Sequence, residues 1–194
     1  MIIRSLFGQP KNNISINYEK LQLITPCKKY WQSFAGSYKE YRAHKVEDFG
    51  YPKVDTQEDF EAFLRMVEDT RLGINLQRGF VQTSMFWLVD DVNYFGSGSV
   101  RHYLTENLKV FGGHIGYSIR PEVWGKGLGT IQLRFLLEEA KKVGITTARL
   151  TCYEANVASQ KVMIKNGGRL IGRVVNRIAG KDRPTFIYEI DLTN

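Results

Sequence analysis

Pro121-Glu122-Val123-Trp124-Gly125-Lys126-Gly127-Leu128-Gly129-Thr130 is the stretch from which the rest of the chain can be read. Three glycines at alternate positions lead straight into an amphipathic segment. Its apolar face is Leu133, Leu136, Leu137 and Ala140, spaced i, i+3, i+4, i+7, the signature of a helix. Lys141 and Lys142 suit the negative end of its dipole, and Gly144 is a fitting stop. Before the turn, Ile115, Tyr117 and Ile119 alternate with His114, Gly116 and Ser118, so a strand ends at Pro121. Strand, glycine turn and helix together make a phosphate-binding arrangement. Glycine lets backbone N–H groups approach an anion, and the helix start adds about half a positive charge. The same pattern is also an ordinary strand-to-helix turn with convenient glycines. A Walker A loop is excluded, because Lys126 lies inside the turn and is followed by Gly127. A dinucleotide fold is disfavoured by the G-x-G-x-G spacing and by a following strand that ends in Cys152-Tyr153-Glu154.

Working outward, Ala148, Leu150 and Cys152 alternate as a second strand. A short helix over 155–166 follows, closed by Gly167-Gly168. Two final strands, near 169–175 and 185–192, flank the turn Ala179-Gly180-Lys181-Asp182. Upstream, residues 80–89 and the alternation Val100, His102, Leu104 predict two more strands. Thr56 with Asp59 starts a helix in a capping pattern, carried on by Phe60, Phe63, Leu64 and Val67. Gly50-Tyr51-Pro52 forms a loop. Tyr30, Phe34, Tyr38 and Tyr41 mark one face of an earlier helix; with Trp31 they either belong to the core or line an acceptor cleft. Lys20–Ile24 is a short strand stopped by Pro26. Residues 1–18 read as a tail or edge segment and 19–194 as a single domain: a mixed α/β sheet with helices on its faces.

Of the 194 residues 43% are hydrophobic and 24% charged, a globular profile. The formal net charge of +7 favours anionic partners without choosing among nucleic acid, a membrane surface or a phosphorylated cofactor. Between 120 and 183 lysines and arginines number 13 against 5 acidic residues; Lys126, Lys161 and Lys165 are the best placed for phosphate contact. No zinc-finger or RRM pattern points to nucleic acid. No apolar run approaches the roughly 18 residues of a membrane span. Cys27 and Cys152 lack zinc-site spacing and allow at most one disulfide, which fits a reducing, cytoplasmic setting. No metal cluster and no Ser/His/Asp arrangement is present.

PEVWGKGLGT, an amphipathic helix, a strand and ANVASQKVMIKNGG resemble the acetyl-coenzyme A binding core of GNAT N-acetyltransferases. The strong match spans about 112–172. The family signature, Gln/Arg-x-x-G-x-G/A, falls on the turn with Trp124 at its first position. VRHYLTENL with GGHIGYSIRP further resembles a bacterial subgroup of unknown substrate. The resemblance implies a GNAT-like mixed central sheet of six to seven strands, with helices on both faces and a splayed parallel strand pair at 114–120 and 147–153. It implies acetyl transfer from acetyl-CoA to a primary amine by direct attack in a ternary complex. The pyrophosphate would lie on the backbone of Trp124, Gly125, Lys126, Gly127, Leu128, Gly129 and Thr130. The backbone of Tyr117 and Ile119 would take the acetyl carbonyl and the pantetheine amides. Asn156, Ser159 and Lys165 would complete the cofactor side.

Many family members carry a tyrosine acid seven residues after the asparagine; this chain has Met163 there. A base must take the amine proton. Glu154 and His114 are its candidates, with His102 behind them. Glu154 equally caps the helix that follows, and both histidines equally serve as structural residues. A non-catalytic coenzyme A-binding or regulatory module on the same fold is the alternative. The acceptor is a small-molecule or peptide amine, no nucleic acid or membrane partner is expected, and exposed strand edges are compatible with a homodimer.

Overall fold

The computed structural model describes residues 14–44, 46 and 54–193. Gly50-Tyr51-Pro52 and residues 1–13 lie outside the described residues; of the expected tail, Ile14 and Ile16 pack against a small core around Leu88, Phe95 and Val123. The elements follow the sequence order: β1 Gln22–Ile24, α1 Trp31–Ala43, α2 Gln57–Leu72, β2 Thr83–Val89, β3 Tyr94–Arg101, α3 Glu106–Val110, β4 Ile115–Ile119, α4 Leu128–Lys142, β5 Thr147–Tyr153, α5 Val157–Lys165, β6 Arg169–Ile178 and β7 Lys181–Asp191. Among the described residues seven strands form two sheets, β1-β2-β3-β4 and β5-β7-β6, with every ladder antiparallel.

Each face of the first sheet is sealed by its own chemistry. Trp87 is stacked on Phe34 at 4.5 Å and on Phe63 at 6.1 Å, with Tyr94 edge-on at 5.2 Å. Each such ring pair adds about 0.5–1.5 kcal/mol beyond burial. The stripe Tyr30, Phe34, Tyr38, Tyr41 is therefore core between α1, α2 and the sheet. The reciprocal box of Thr56 and Asp59 starts α2 as the capping pattern predicts. On the opposite face Leu133, Leu136, Leu137 and Ala140 of α4 join Val100, Ile115, Leu150 and Met163 in a second core. No described helix is long and apolar enough to cross a membrane.

Two departures from the sequence reading matter. The third strand begins at Tyr94, not at Val100, and a five-residue helix, α3, fills the stretch after it. The last strand starts at Lys181 and passes through Pro184. That proline is tolerated because the ladder with β5 ends at Thr185: beyond it only the Pro184 carbonyl is used, accepting the Glu154 N–H at 2.8 Å, and no ladder bond needs the missing N–H.

The two sheets part between β4 and β5. Among the described residues these strands share no ladder. Their link lies just before β4 begins: Gly113 bridges Leu150 in the antiparallel sense, and the His114 N–H donates to the Arg149 carbonyl at 2.6 Å. The splay is thus an unpaired edge held at one end by an antiparallel clip.

Candidate active site

Alternation along β4 decides which backbone groups face the split. Arg101 N–H donates to the His114 carbonyl at 2.7 Å, and Arg120 N–H to the Phe95 carbonyl at 2.8 Å. Residues 114, 116, 118 and 120 therefore bond to β3, and Ile115, Tyr117 and Ile119 turn their N–H and C=O toward β5. The Ile119 carbonyl is taken: it accepts the Trp124 indole N–H at 2.6 Å. Trp124, at the first signature position, thus ties the turn to the strand it leaves, and its exposed ring lies edge-on to His44 at 5.2 Å.

The glycines of the turn do two different jobs. Gly125 and Gly127 sit at φ 77° and 81°, where a side chain would have open space; the requirement there is torsional. Gly129 is helical, and a Cβ on it would lie 3.3 Å from Val162, so it lets α5 approach α4. α4 starts without a side-chain cap, and the N–H groups of residues 125–129 have no acceptor among the described residues. A row of unspent amides at a fifteen-residue helix start is a fit for phosphate oxygens. The Thr130 N–H already donates to the Gly127 carbonyl at 3.1 Å, which leaves only its side chain for a ligand. The Tyr18 hydroxyl donates to the Lys126 carbonyl at 2.9 Å, holding the turn from outside.

Asn156 caps α5: its Oδ1 accepts the Ser159 N–H at 3.0 Å, leaving the amide hydrogens as donors. Ser159 also shares a 2.8 Å hydrogen bond with the Tyr117 hydroxyl, and burial pushes that phenol up to about 12. Met163 is fully buried in the core beneath α5. Lys126, Lys161 and Lys165 are exposed around these elements.

The two base candidates have different commitments. His114 is half-buried, and its Nδ1 accepts the Arg149 N–H at 2.9 Å. Burial, then the Arg149 and Arg101 charges, hold its pKa below the ordinary 6.5. A neutral ring bonded this way carries its hydrogen on Nε2, and its one lone pair, on Nδ1, is engaged by the Arg149 N–H, so taking a proton there means giving up that bond. Glu154, at the end of β5, pairs with Arg173 at 2.9 Å on the surface; it is Asn156, not Glu154, that caps the helix. His102 shares a 2.9 Å bond with Ser84.

Sequence reasoning missed two features of the other side of β4. One is a cavity of about 400 Å³. Its floor is Ser97, Ser99, Gly116 and Ser118, which lie together because Ser99 pairs with Gly116 and Ser97 with Ser118. The small residues leave a hollow beside the filled half of the sheet around Trp87. Their wider spacing, small side chains at every second position of β3 and β4, was the available signal. The other is a buried ion pair. Arg120 Nε donates to both Glu40 oxygens at 3.0 and 3.1 Å, its Nη2 pairs with the same carboxylate, and its Nη1 reaches the Tyr94 carbonyl at 2.9 Å. It fastens α1 to the end of β4 where the turn begins.

The profile of the acetyltransferase (GNAT) domain family matches residues 27–169. No curated protein sequence matches the chain. Among solved structures, a microcin C7 self-immunity acetyltransferase in complex with acetyl-CoA and AMP is similar at TM-score 0.66 and 17% identity, over 89% of this chain and 93% of that one. A ribosomal-protein-S5-alanine acetyltransferase from Vibrio fischeri is similar at 0.64 and 18%, over 93% and 98%. An acetyltransferase from Salmonella typhimurium that modifies the N-terminal serine of ribosomal protein L7/L12 is similar at 0.64 and 17%, over 89% and 95%. With its glycine turn, open strand edge and family profile over most of its length, this chain belongs to the GNAT acetyltransferase family.

Proposed function

We propose that the protein transfers the acetyl group of acetyl-CoA to a primary amine by direct attack in a ternary complex. The observation that carries this reading is the continuity of the unspent amides of residues 125–129 with the open edge of β4. The turn amides hold pyrophosphate oxygens. The Tyr117 and Ile119 N–H groups pair with the pantetheine arm and polarise the thioester carbonyl, an oxyanion hole built from backbone. The Asn156 amide holds the arm from the other side, while Ser159 and Lys165 flank it. The same reading takes the protein to be cytoplasmic, a setting in which two free thiols, Cys27 and Cys152, are compatible with a thioester co-substrate.

The amine nitrogen attacks the thioester carbonyl carbon, the C–S bond breaks, and the nitrogen loses a proton. An alkyl ammonium is mostly protonated near pH 7, so a base is needed. Glu154 takes that part, because its carboxylate keeps lone pairs beyond the Arg173 contact. His114 holds β4 to β5. With Met163 in the core, the thiolate, of ordinary pKa near 8.5, leaves without a tyrosine acid from that position.

Thiol release from acetyl-CoA, measured with a panel of amines, tests the reading. Amine-dependent release is expected, with Glu154→Gln lowering kcat at least about tenfold at unchanged coenzyme A affinity and His114→Gln changing it far less. Tight coenzyme A binding with no turnover on any amine would favour the binding-module alternative. Equal kcat for Glu154→Gln and the parent would remove Glu154 as the base.

A further inference from the structure

The geometry points to the cavity on the α2 side of β4 as the acceptor site, shaped for a compact primary amine on an uncharged, largely apolar body with no second positive charge. The inference rests on the acetyl-transfer reading and narrows it. Gly116, Tyr117 and Ser118 line the cavity, and Tyr117 also turns its backbone toward the split between β4 and β5. A thioester held along that edge therefore meets the cavity at residue 117, and an amine seated in the cavity reaches it without crossing the sheet.

The lining sets the chemistry. Met66, Met85 and Leu108 supply apolar walls, and methionine adapts to irregular shapes. The polar floor consists of hydroxyls. Lining hydroxyls that already have bonds are Ser97 with the Tyr94 hydroxyl at 2.6 Å, Thr83 with the Val81 carbonyl at 2.7 Å and Thr70 with the Met66 carbonyl at 2.7 Å. Among the described lining residues the only charge is that of Arg101, whose Nη1 donates to the Gly113 carbonyl at 3.0 Å, and none is a carboxylate. A second ammonium buried here would find hydroxyls and a like charge, and burying an ion without a partner is costly. A volume near 400 Å³ lies toward the small end of ligand pockets, room for an amino-acid-sized group rather than a polycationic chain.

Hexylamine and hexane-1,6-diamine differ only in the second charge, so acetylation of the pair tests the proposal. Hexylamine is expected to have the higher kcat/KM, by at least about tenfold. Ser99 stands on the floor, half-buried, against Gly116. Ser99→Asp, which adds the missing carboxylate, is expected to move the preference toward the diamine by a similar factor. Ser99→Leu, which fills the floor, is expected to raise the KM for hexylamine severalfold and leave coenzyme A affinity unchanged. Calorimetry with coenzyme A on each folded variant separates the two levels of the reading. Loss of coenzyme A binding by the parent protein would overturn the acetyl-transfer reading itself. Intact binding with equal use of both amines, with use of neither, or with a hexylamine KM untouched by Ser99→Leu, would overturn the cavity assignment alone.

Discussion

The two sides of β4 are built from different materials. Toward β5 the groups on offer are backbone: the unpaired amides of residues 125–129 and the open edge of Tyr117 and Ile119, which the proposed reading gives to the acyl donor. Toward α2 they are side chains, or the lack of one: hydroxyls at Ser97, Ser99 and Ser118, and the missing Cβ of Gly116. A backbone site is constrained by torsion and close approach and tolerates most side-chain changes. A side-chain site changes with every substitution. The same fold can thus keep one acyl donor and vary its acceptor, and the two sides answer mutation differently.

The largest effect is expected where the sides are tied together. Glu40 on α1 and Arg120 at the end of β4 are both buried and bonded to each other. Glu40→Ala leaves the guanidinium buried with only Ser33 and the Tyr94 carbonyl. Removing one partner of such a pair costs about 3–5 kcal/mol, or roughly 10 °C in Tm for a chain of this size. Thermal melting checks it. A loss under about 1 kcal/mol would mean that water or a moved side chain replaces the carboxylate, and that the sides are less firmly joined than their bonds imply.

Next comes the turn itself. Gly127→Asp places a negative charge in the cradle and is expected to weaken coenzyme A binding at least about tenfold. Gly127→Ala separates charge from torsion. A Cβ there meets nothing, so only the left-handed φ opposes it, at about 1–2 kcal/mol. Calorimetry should place Ala between the parent and Asp. Equal affinity for Ala and Asp would show that the turn acts through its shape alone.

The same contrast governs what could be read beforehand. The donor side was legible because torsion and helix periodicity leave local marks: Gly125 and Gly127, the stripe from Leu133 to Ala140, and the bounds of β5 all stand in consecutive residues. The cavity side depends on register between strands far apart in sequence. The strand expected from the alternation of Val100, His102 and Leu104 does not include Gly96-Ser97-Gly98-Ser99, yet these residues are strand. A Cβ at Gly96 would lie 2.3 Å from the Ser118 carbonyl oxygen, and one at Gly98 would lie 2.6 Å from Leu136. Those glycines serve close packing that only the folded partners reveal. The Glu40–Arg120 pair was hidden for the same reason, since its members are eighty residues apart in sequence.

The smallest effect concerns the clip between the sheets. His114 accepts the Arg149 N–H with Nδ1, and burial followed by the Arg149 and Arg101 charges lowers its folded pKa, with Glu189 opposing. The unfolded ring titrates near 6.5. Above that pH both states are neutral, and the clip contributes fully. As pH falls below 6.5 the unfolded chain takes up a proton that the folded ring resists, so stability declines until the lower folded pKa is reached. Gln at this position can offer a carbonyl to the same N–H without titrating. His114→Gln should therefore flatten, but not abolish, the loss of Tm as pH falls below about 6.5. His102, also lowered by burial and by Arg71, retains part of the slope. Melting curves across that range for the parent and the variant make the measurement. Identical slopes would mean that His114 titrates alike in both states and that the bond to Arg149 breaks readily in acid.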